Sequence, residues 1–279
     1  KPIEEFIDLE YNTIITPKEG FMKLCDLGKV SIDEDISEYL GFKVRNPNYP
    51  DIIITPAMLM SHSGTVVDSG TFNSSIINNS SLTIKQVLED PSSMSMGKPG
   101  ESYAYSNFSV AIIGAICELV TNRPFNDLAK EYFFDPLGIN VSYLANELNN
   151  TDLVADLYGG GGLTASVALK AAAHPTIGQT HHLMQGNLFA SAKDYLKFGA
   201  MIAAGGVTED GEQLLSTESV DEMLKVRIDD GFGIGSGFGC EKNEFALPGR
   251  TVYSHTGEAY GMFSVYAFDP DTGDGIVVL

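Results

Sequence analysis

The stretch Phe108 to Val120, FSVAIIGAICELV, constrains this chain more than any other. It carries a strong helical pattern, opens after PGESYAYSN and is interrupted by Arg123-Pro124. A helix this apolar has to be buried. It is too short to cross a bilayer and contains Glu118, so the expectation is a core helix capped by Ser106 or Asn107, not a membrane span. The rest of the composition suits such a core, with 43% hydrophobic and 19% charged residues. Charge narrows the partners: 17 Lys+Arg against 37 Asp+Glu leaves −20, which repels phosphate backbones and disfavours nucleic acid.

Before this helix, FMKLCDL at 21–27 spaces apolar residues along one helical face, with Gly28 as its stop. Pro17 and Gly20 read as breaking any helix that begins earlier. SIDEDISEYLGF offers Ser31 or Asp33 as the cap of a short acidic helix ending near Gly41. Pro47, Pro50 and Pro56 precede AMLMSHSG, and residues 68–81, rich in Ser, Asn and Gly, read as a surface loop. After it, FNDLAKEYFF predicts a second helix stopped by DPLG, residues 159–162 a flexible loop, and SAKDYLKFGAMIAAGG a further helix. The last third, with TVYSHTG, GMFSVYAF and GIVVL, predicts antiparallel strands. DPDTGDG reads as a hairpin connection, since Gly273 stands where a calcium loop needs a third oxygen ligand. The glycines at 231, 233, 235, 237 and 239 suit a strand with one closely packed face.

Cys25, Cys117 and Cys240 are too far apart for a metal or disulfide framework and read as small buried hydrophobes. His174, His181 and His182 lack partners at ligand spacing and read as loop or surface residues. G-x-S-x-G and Walker patterns are absent. The start, KPIEEFIDLE, lacks the order of a signal peptide, and both cytoplasmic and extracytoplasmic placements stay open.

Four segments in order carry a resemblance. GKVSIDEDISEYL with AMLMSHSG, PGESYAYSNFSVAIIGAICELVTNRPFNDLAKEYFFDPLGI, GNLFASAKDYLKFGAMIAAGG and YSHTGEAYGMFSVYAFDP are similar to the serial motifs of the serine β-lactamase-related family. That family includes class C β-lactamases, D-alanyl-D-alanine carboxypeptidases and related esterases. The resemblance, from about Gly28 onward, implies an α/β (α+β) fold with an antiparallel sheet flanked by helices. Residues 1–45 and 205–279 would form the sheet-containing part and 46–204 a mainly helical part of one discontinuous domain. It also implies acyl transfer on a small-molecule or peptide amide or ester, with no cofactor or metal.

By that resemblance, Tyr105-Ser106-Asn107 is the family's Tyr-x-Asn, with Tyr105 a general acid/base and Asn107 a contact to the substrate amide. His255-Thr256-Gly257 is its Lys/His-Thr/Ser-Gly on a strand edge, where His255 gives charge or a hydrogen bond and Gly257 admits substrate to the backbone. The N–H of Glu258 would form half of an oxyanion hole. Read by themselves, Tyr105 is a buried aromatic, Asn107 a helix cap and His255 a structural strand histidine.

The family's Ser-x-x-Lys is the departure. Without a gap, its serine and lysine fall on Tyr11 and Ile14. The sole Ser-x-x-Lys, Ser95 to Lys98, reads as chance in a Ser-rich turn, and Thr16 stands at the wrong spacing from Lys18. The nucleophile is therefore unassigned. Two functions follow: a serine acyl hydrolase, or a non-hydrolytic homologue that keeps the cleft for binding.

Overall fold

The computed structural model describes residues 8–10, 15–77, 82–156, 158–159, 162–163, 175–179, 183–184, 186–231, 233–245, 247–259 and 262–279. His174, His181 and His182, like Tyr11 and Ile14, lie outside the described residues.

Two helices form the centre of the core: α1 (Ile15–Asp26) and α6 (Asn107–Thr121). Helix α6 starts where Ser106, in extended conformation, accepts the Ser109 N–H at 3.0 Å. Every residue from Phe108 to Glu118 is buried. The Glu118 carboxylate is satisfied inside this apolar surrounding, its Oε1 accepting from the Phe125 N–H and its Oε2 from the Gly178 N–H, both at 2.8 Å. Among the described residues no single helix is long and apolar enough to cross a membrane.

Helix α1 runs through both expected breakers. Pro17 falls in its first turn, where its missing N–H has no intrahelical acceptor to lose. Gly20 is required by packing: a Cβ there would lie 2.6 Å from Cε2 of Phe125, the first residue of α7 (Phe125–Ala129). The helix ends as the sequence predicts, with Gly28 at φ 67° and Lys29 N–H donating back to the Leu24 carbonyl at 2.9 Å.

Shorter elements surround this pair. Helix α2 (Ile36–Leu40) is capped by Asp35, not by Ser31 or Asp33: its Oδ1 accepts the Ser37 N–H at 3.0 Å while Arg45 binds the same carboxylate. Helix α3 (Pro56–Met60) is capped by Thr55. The segment expected as a loop contains α4 (Gly70–Ile77), and residues 78–81 lie outside the described residues. Its order comes from Ser69 accepting the Phe72 N–H at 3.1 Å and from Phe72, wholly buried with its ring 4.8 Å from that of Phe108. Helix α5 (Ile84–Leu88) carries a full capping box from Thr83 and Gln86. Part of the expected 159–162 loop also pairs, β2 (Tyr158–Gly159) lying antiparallel to β3 (Gly162–Leu163).

Helix α8 (Ala192–Ala203), capped by Ser191, is the predicted SAKDYLKFGAMIA helix, and α9 (Thr217–Leu224) follows. The chain then builds an antiparallel sheet from β5 (Ile228–Asp229), β6 (Gly235–Ser236), β7 (Glu241–Asn243), β8 (Val252–Ala259), β9 (Met262–Asp269) and β10 (Asp274–Val278), in spatial order 10-9-8-7-6-5. Helix α8 packs on β9 and β10. Near the amino terminus, β1 (Asp8–Glu10) pairs with β4 (Leu188–Ala190), apart from this sheet.

The alternating glycines are not one strand. Gly231, Gly233 and Gly239 have φ of 85° to 89° and make turns. Gly235 and Gly237 are the closely packed ones, where a Cβ would meet Val226 at 2.6 Å and the Met223 carbonyl at 2.4 Å. DPDTGDG joins β9 to β10 as expected, with Arg250 binding Asp269 at 2.6 Å and Asp274 at 2.8 Å. The three cysteines are free; Cys117 and Cys240 are buried and Cys25 is half-buried.

Candidate active site

The cleft forms where the end of α3, the loop before α6, helix α1 and strands β6–β8 converge. His62 follows α3 with φ 58°, and Thr65 has φ 63°, a left-handed backbone that histidine tolerates better than most residues. The neighbouring loop holds this turn: Ala104 N–H donates to the His62 carbonyl at 2.8 Å and Gly100 N–H to that of Ser63 at 2.9 Å. That pairing brings Tyr105 onto His62, with rings stacked at 4.6 Å. It also puts the Ser106 N–H, at the mouth of α6, 3.2 Å from His62 Nδ1.

Opposite His62 lies Lys18 of α1. Its side chain is 1% exposed, and its Nζ is 3.2 Å from His62 Nε2. His255 of β8 approaches from the sheet side, its ring 6.3 Å from that of Tyr105. Cys240, Ser236 and Glu241 complete the sheet wall.

Burial dominates the protonation of this group. It lowers Lys18 from 10.5 to about 7 against the pull of Glu19, so much of the amine is free base at neutral pH. Burial and the neighbouring Lys18 hold His62 well below its ordinary range and bring His255 down to about 3, so both imidazoles are neutral. Surrounding protein and the Asp68 carboxylate push the Tyr105 phenol up, so it stays protonated although the residue is 37% exposed. Cys240, pushed up to about 12 by burial, shares a hydrogen bond with Tyr266 at 3.1 Å and is no thiolate. Among the described residues neither oxygen of the fully buried Glu19 has a hydrogen bond, and burial raises its carboxyl well above the usual range.

Lys18 makes a pH signature. Its folded pKa lies below the unfolded value, so between about 7 and 10.5 the unfolded chain holds a proton that the folded one has lost. Stability contributed by this group therefore rises with pH across that window, with a slope approaching one proton. Urea midpoints from pH 7 to 10 should show that rise in the wild type relative to Lys18→Met; parallel curves would refute it.

The sequence-derived residues are partly assembled. Tyr105 and His255 both line the cleft, their rings 6.3 Å apart. Asn107 is the first residue of α6, and its Nδ2 is committed to Asp68 at 2.7 Å while its Oδ1 is buried without a hydrogen bond among the described residues. His255 and Gly257 are buried, whereas Thr256 and Glu258 alternate onto the exposed face. β8 is an inner strand, yet its pairing with β7 ends at Ser254, so His255 to Gly257 have a strand only on the β9 side among the described residues. Ser95 and Lys98 do not reach the cleft, and Lys98 pairs with Glu101 at the surface.

Sequence reasoning missed Lys18 and His62. The lysine that reaches the cleft stands four positions beyond the gapless expectation at Ile14. One turn before it in α1 is Ile15. No serine hydroxyl among the described residues hydrogen-bonds Lys18 or Tyr105; Ser236 is 3.5 Å from the Gly237 carbonyl. The signal was available: Lys18 shares the i+3, i+4, i+7 stripe with Phe21, Met22 and Cys25.

A family model described as Beta-lactamase matches residues 20–279. The chain belongs to the Beta-lactamase family. It is 23% identical over 265 residues to penicillin-binding protein 4 of Amycolatopsis lactamdurans, spanning 90% of this chain but 66% of that protein. The octameric penicillin-binding protein homologue from Pyrococcus abyssi superposes with TM-score 0.77 at 21% identity, over 98% of this chain and 61% of that one. A D-stereospecific amidohydrolase from Streptomyces sp. gives TM-score 0.74 at 18% identity, over 98% and 81%. At these identities the likeness to the solved structures is one of fold. The family match starts at Gly20, so Lys18 enters the site by geometry alone.

Proposed function

We propose that the cleft is a serine acyl hydrolase-type site that takes an amide or ester. The observation that carries this reading is Lys18, an amine buried to 1% exposure and lowered to about 7 beside Tyr105 and His255. A base poised near neutrality is what acyl transfer from a hydroxyl requires. Lys18 is the base and Tyr105 the proton relay to the leaving group. His255, neutral, serves as a hydrogen-bonding partner rather than a charge. Gly257 opens the β8 backbone to the acyl group, with the Glu258 N–H as oxyanion donor and Thr256 beside it. Asn107 contacts the substrate amide once its side chain exchanges Asp68 for ligand. The amidohydrolase of similar fold supports an amide as the substrate class.

Ile15 favours a second reading. With an isoleucine one turn before Lys18, the cleft holds an acyl compound without forming an acyl-enzyme. A fluorescent penicillin and a fluorophosphonate separate the two. A covalent adduct at any serine supports hydrolysis, and saturable binding without an adduct supports the non-hydrolytic reading. Neither adduct nor binding with penicillins, peptide amides and esters would refute both.

A further inference from the structure

We infer that His62 is a positioning residue whose tautomer, fixed by the Ser106 backbone, makes Lys18 a hydrogen-bond acceptor and so holds it as the free amine. Ser106 N–H donates to His62 Nδ1 at 3.2 Å, so Nδ1 bears a lone pair. A neutral imidazole carries one N–H, and here it must be on Nε2. Lys18 Nζ stands 3.2 Å from that Nε2, and both atoms are buried. An ammonium has no lone pair to accept an N–H, so an ammonium at this position would face Nε2–H with no bond to make. The free amine fits.

The frame around His62 leaves the ring little freedom to escape. Its backbone is held at φ 58° by the Ala104 N–H on its carbonyl, and Tyr105 is stacked on its face at 4.6 Å. Flipping the tautomer would set Nδ1–H against the Ser106 N–H at the buried start of α6, leaving both donors unsatisfied. The other groups facing Lys18 do not supply this control. They are Glu19 on its own helix, Tyr105 before α6, Cys240 and Glu241 at β7, and His255 on β8. None of them has a hydrogen bond to Nζ, and no ion pair joins Glu19 to Lys18, among the described residues.

This rests on the reading of Lys18 as the base and adds a consequence to it. At rest the amine's lone pair is occupied by Nε2–H, so the base is parked. It must exchange His62 for a hydroxyl before it can take a proton.

The test needs neither substrate nor turnover. In full-length protein labelled with 15N-histidine, His62 should show the Nε2–H pattern across pH 6 to 9, with a bare Nδ1. The Nδ1–H pattern, or a charged ring in that range, would overturn the inference. The second arm is His62→Asn, a residue that tolerates the left-handed backbone and can accept the Ser106 N–H but is too short to reach Lys18. With 13C-lysine labelling, the Lys18 midpoint should move up from about 7 by about one pH unit. An unchanged or lowered midpoint refutes the control assigned to Nε2–H. Failure of covalent labelling with this tautomer intact would instead count against the hydrolase reading alone.

Discussion

Replacing Ile15 by serine is expected to create covalent labelling by fluorophosphonate at position 15, at least a hundredfold above the wild type's labelling. The substitution puts a hydroxyl one turn before Lys18, and residues three apart in a helix share a face. A positioned base typically contributes 10²- to 10⁴-fold. The amine is already near the required state, lowered to about 7, so labelling should rise with pH through that value as the free base accumulates. Adding Lys18→Met to Ile15→Ser should abolish the gain. A folded Ile15→Ser protein that labels no faster than wild type would show that position 15 does not deliver a nucleophile to this base.

The second large effect is structural. Asp68→Ala should cost about 3 kcal/mol, read as a fall in the urea midpoint. One Asp68 carboxylate accepts from Ser106 Oγ at 3.0 Å, the Asn107 N–H at 3.2 Å, Asn107 Nδ2 at 2.7 Å and the Phe108 N–H at 2.9 Å. It therefore satisfies the first amides of the most buried helix and places negative charge at its positive end. Asp68→Asn should lose less, since one acceptor oxygen survives. A loss below 1 kcal/mol for the alanine variant would mean that water replaces the carboxylate without penalty. The same substitution removes a charge that adds to burial in pushing the Tyr105 phenol up, linking the stability of α6 to the protonation of the cleft.

How much of this was legible follows from where the information sits. Helix α6 declares itself through a long apolar run between its cap and Arg123-Pro124, and the β8–β10 strands through β-formers clustered between turn residues. Helix α4 does not, since its order depends on Phe72 meeting Phe108, a contact no local window contains. Gly20 looks like a breaker until Phe125 occupies the space of its missing side chain. Tyr105 and His255 could be paired only through the order of motifs, for neither is unusual in its own segment. Lys18 is invisible to a Ser-x-x-Lys pattern, because Ile15 stands three positions before it where that pattern has serine. The role of His62 lies in a backbone amide 44 residues away, where residue identity carries no signal.

If the cleft takes an acyl compound as proposed, the short reach of β7 would set a preference that no side chain encodes. Where β7 ends opposite Ser254, the following backbone of β8 is left with one strand neighbour among the described residues. Whatever covers that strip must replace the hydrogen bonds water offers it, or leave peptide groups dry at a cost of about 1–3 kcal/mol each. A hydrocarbon occupant cannot do so, while a molecule with its own carbonyls and N–H groups can. On the acyl-hydrolase reading proposed above, the length of a neighbouring strand would then favour peptide-like over oily guests.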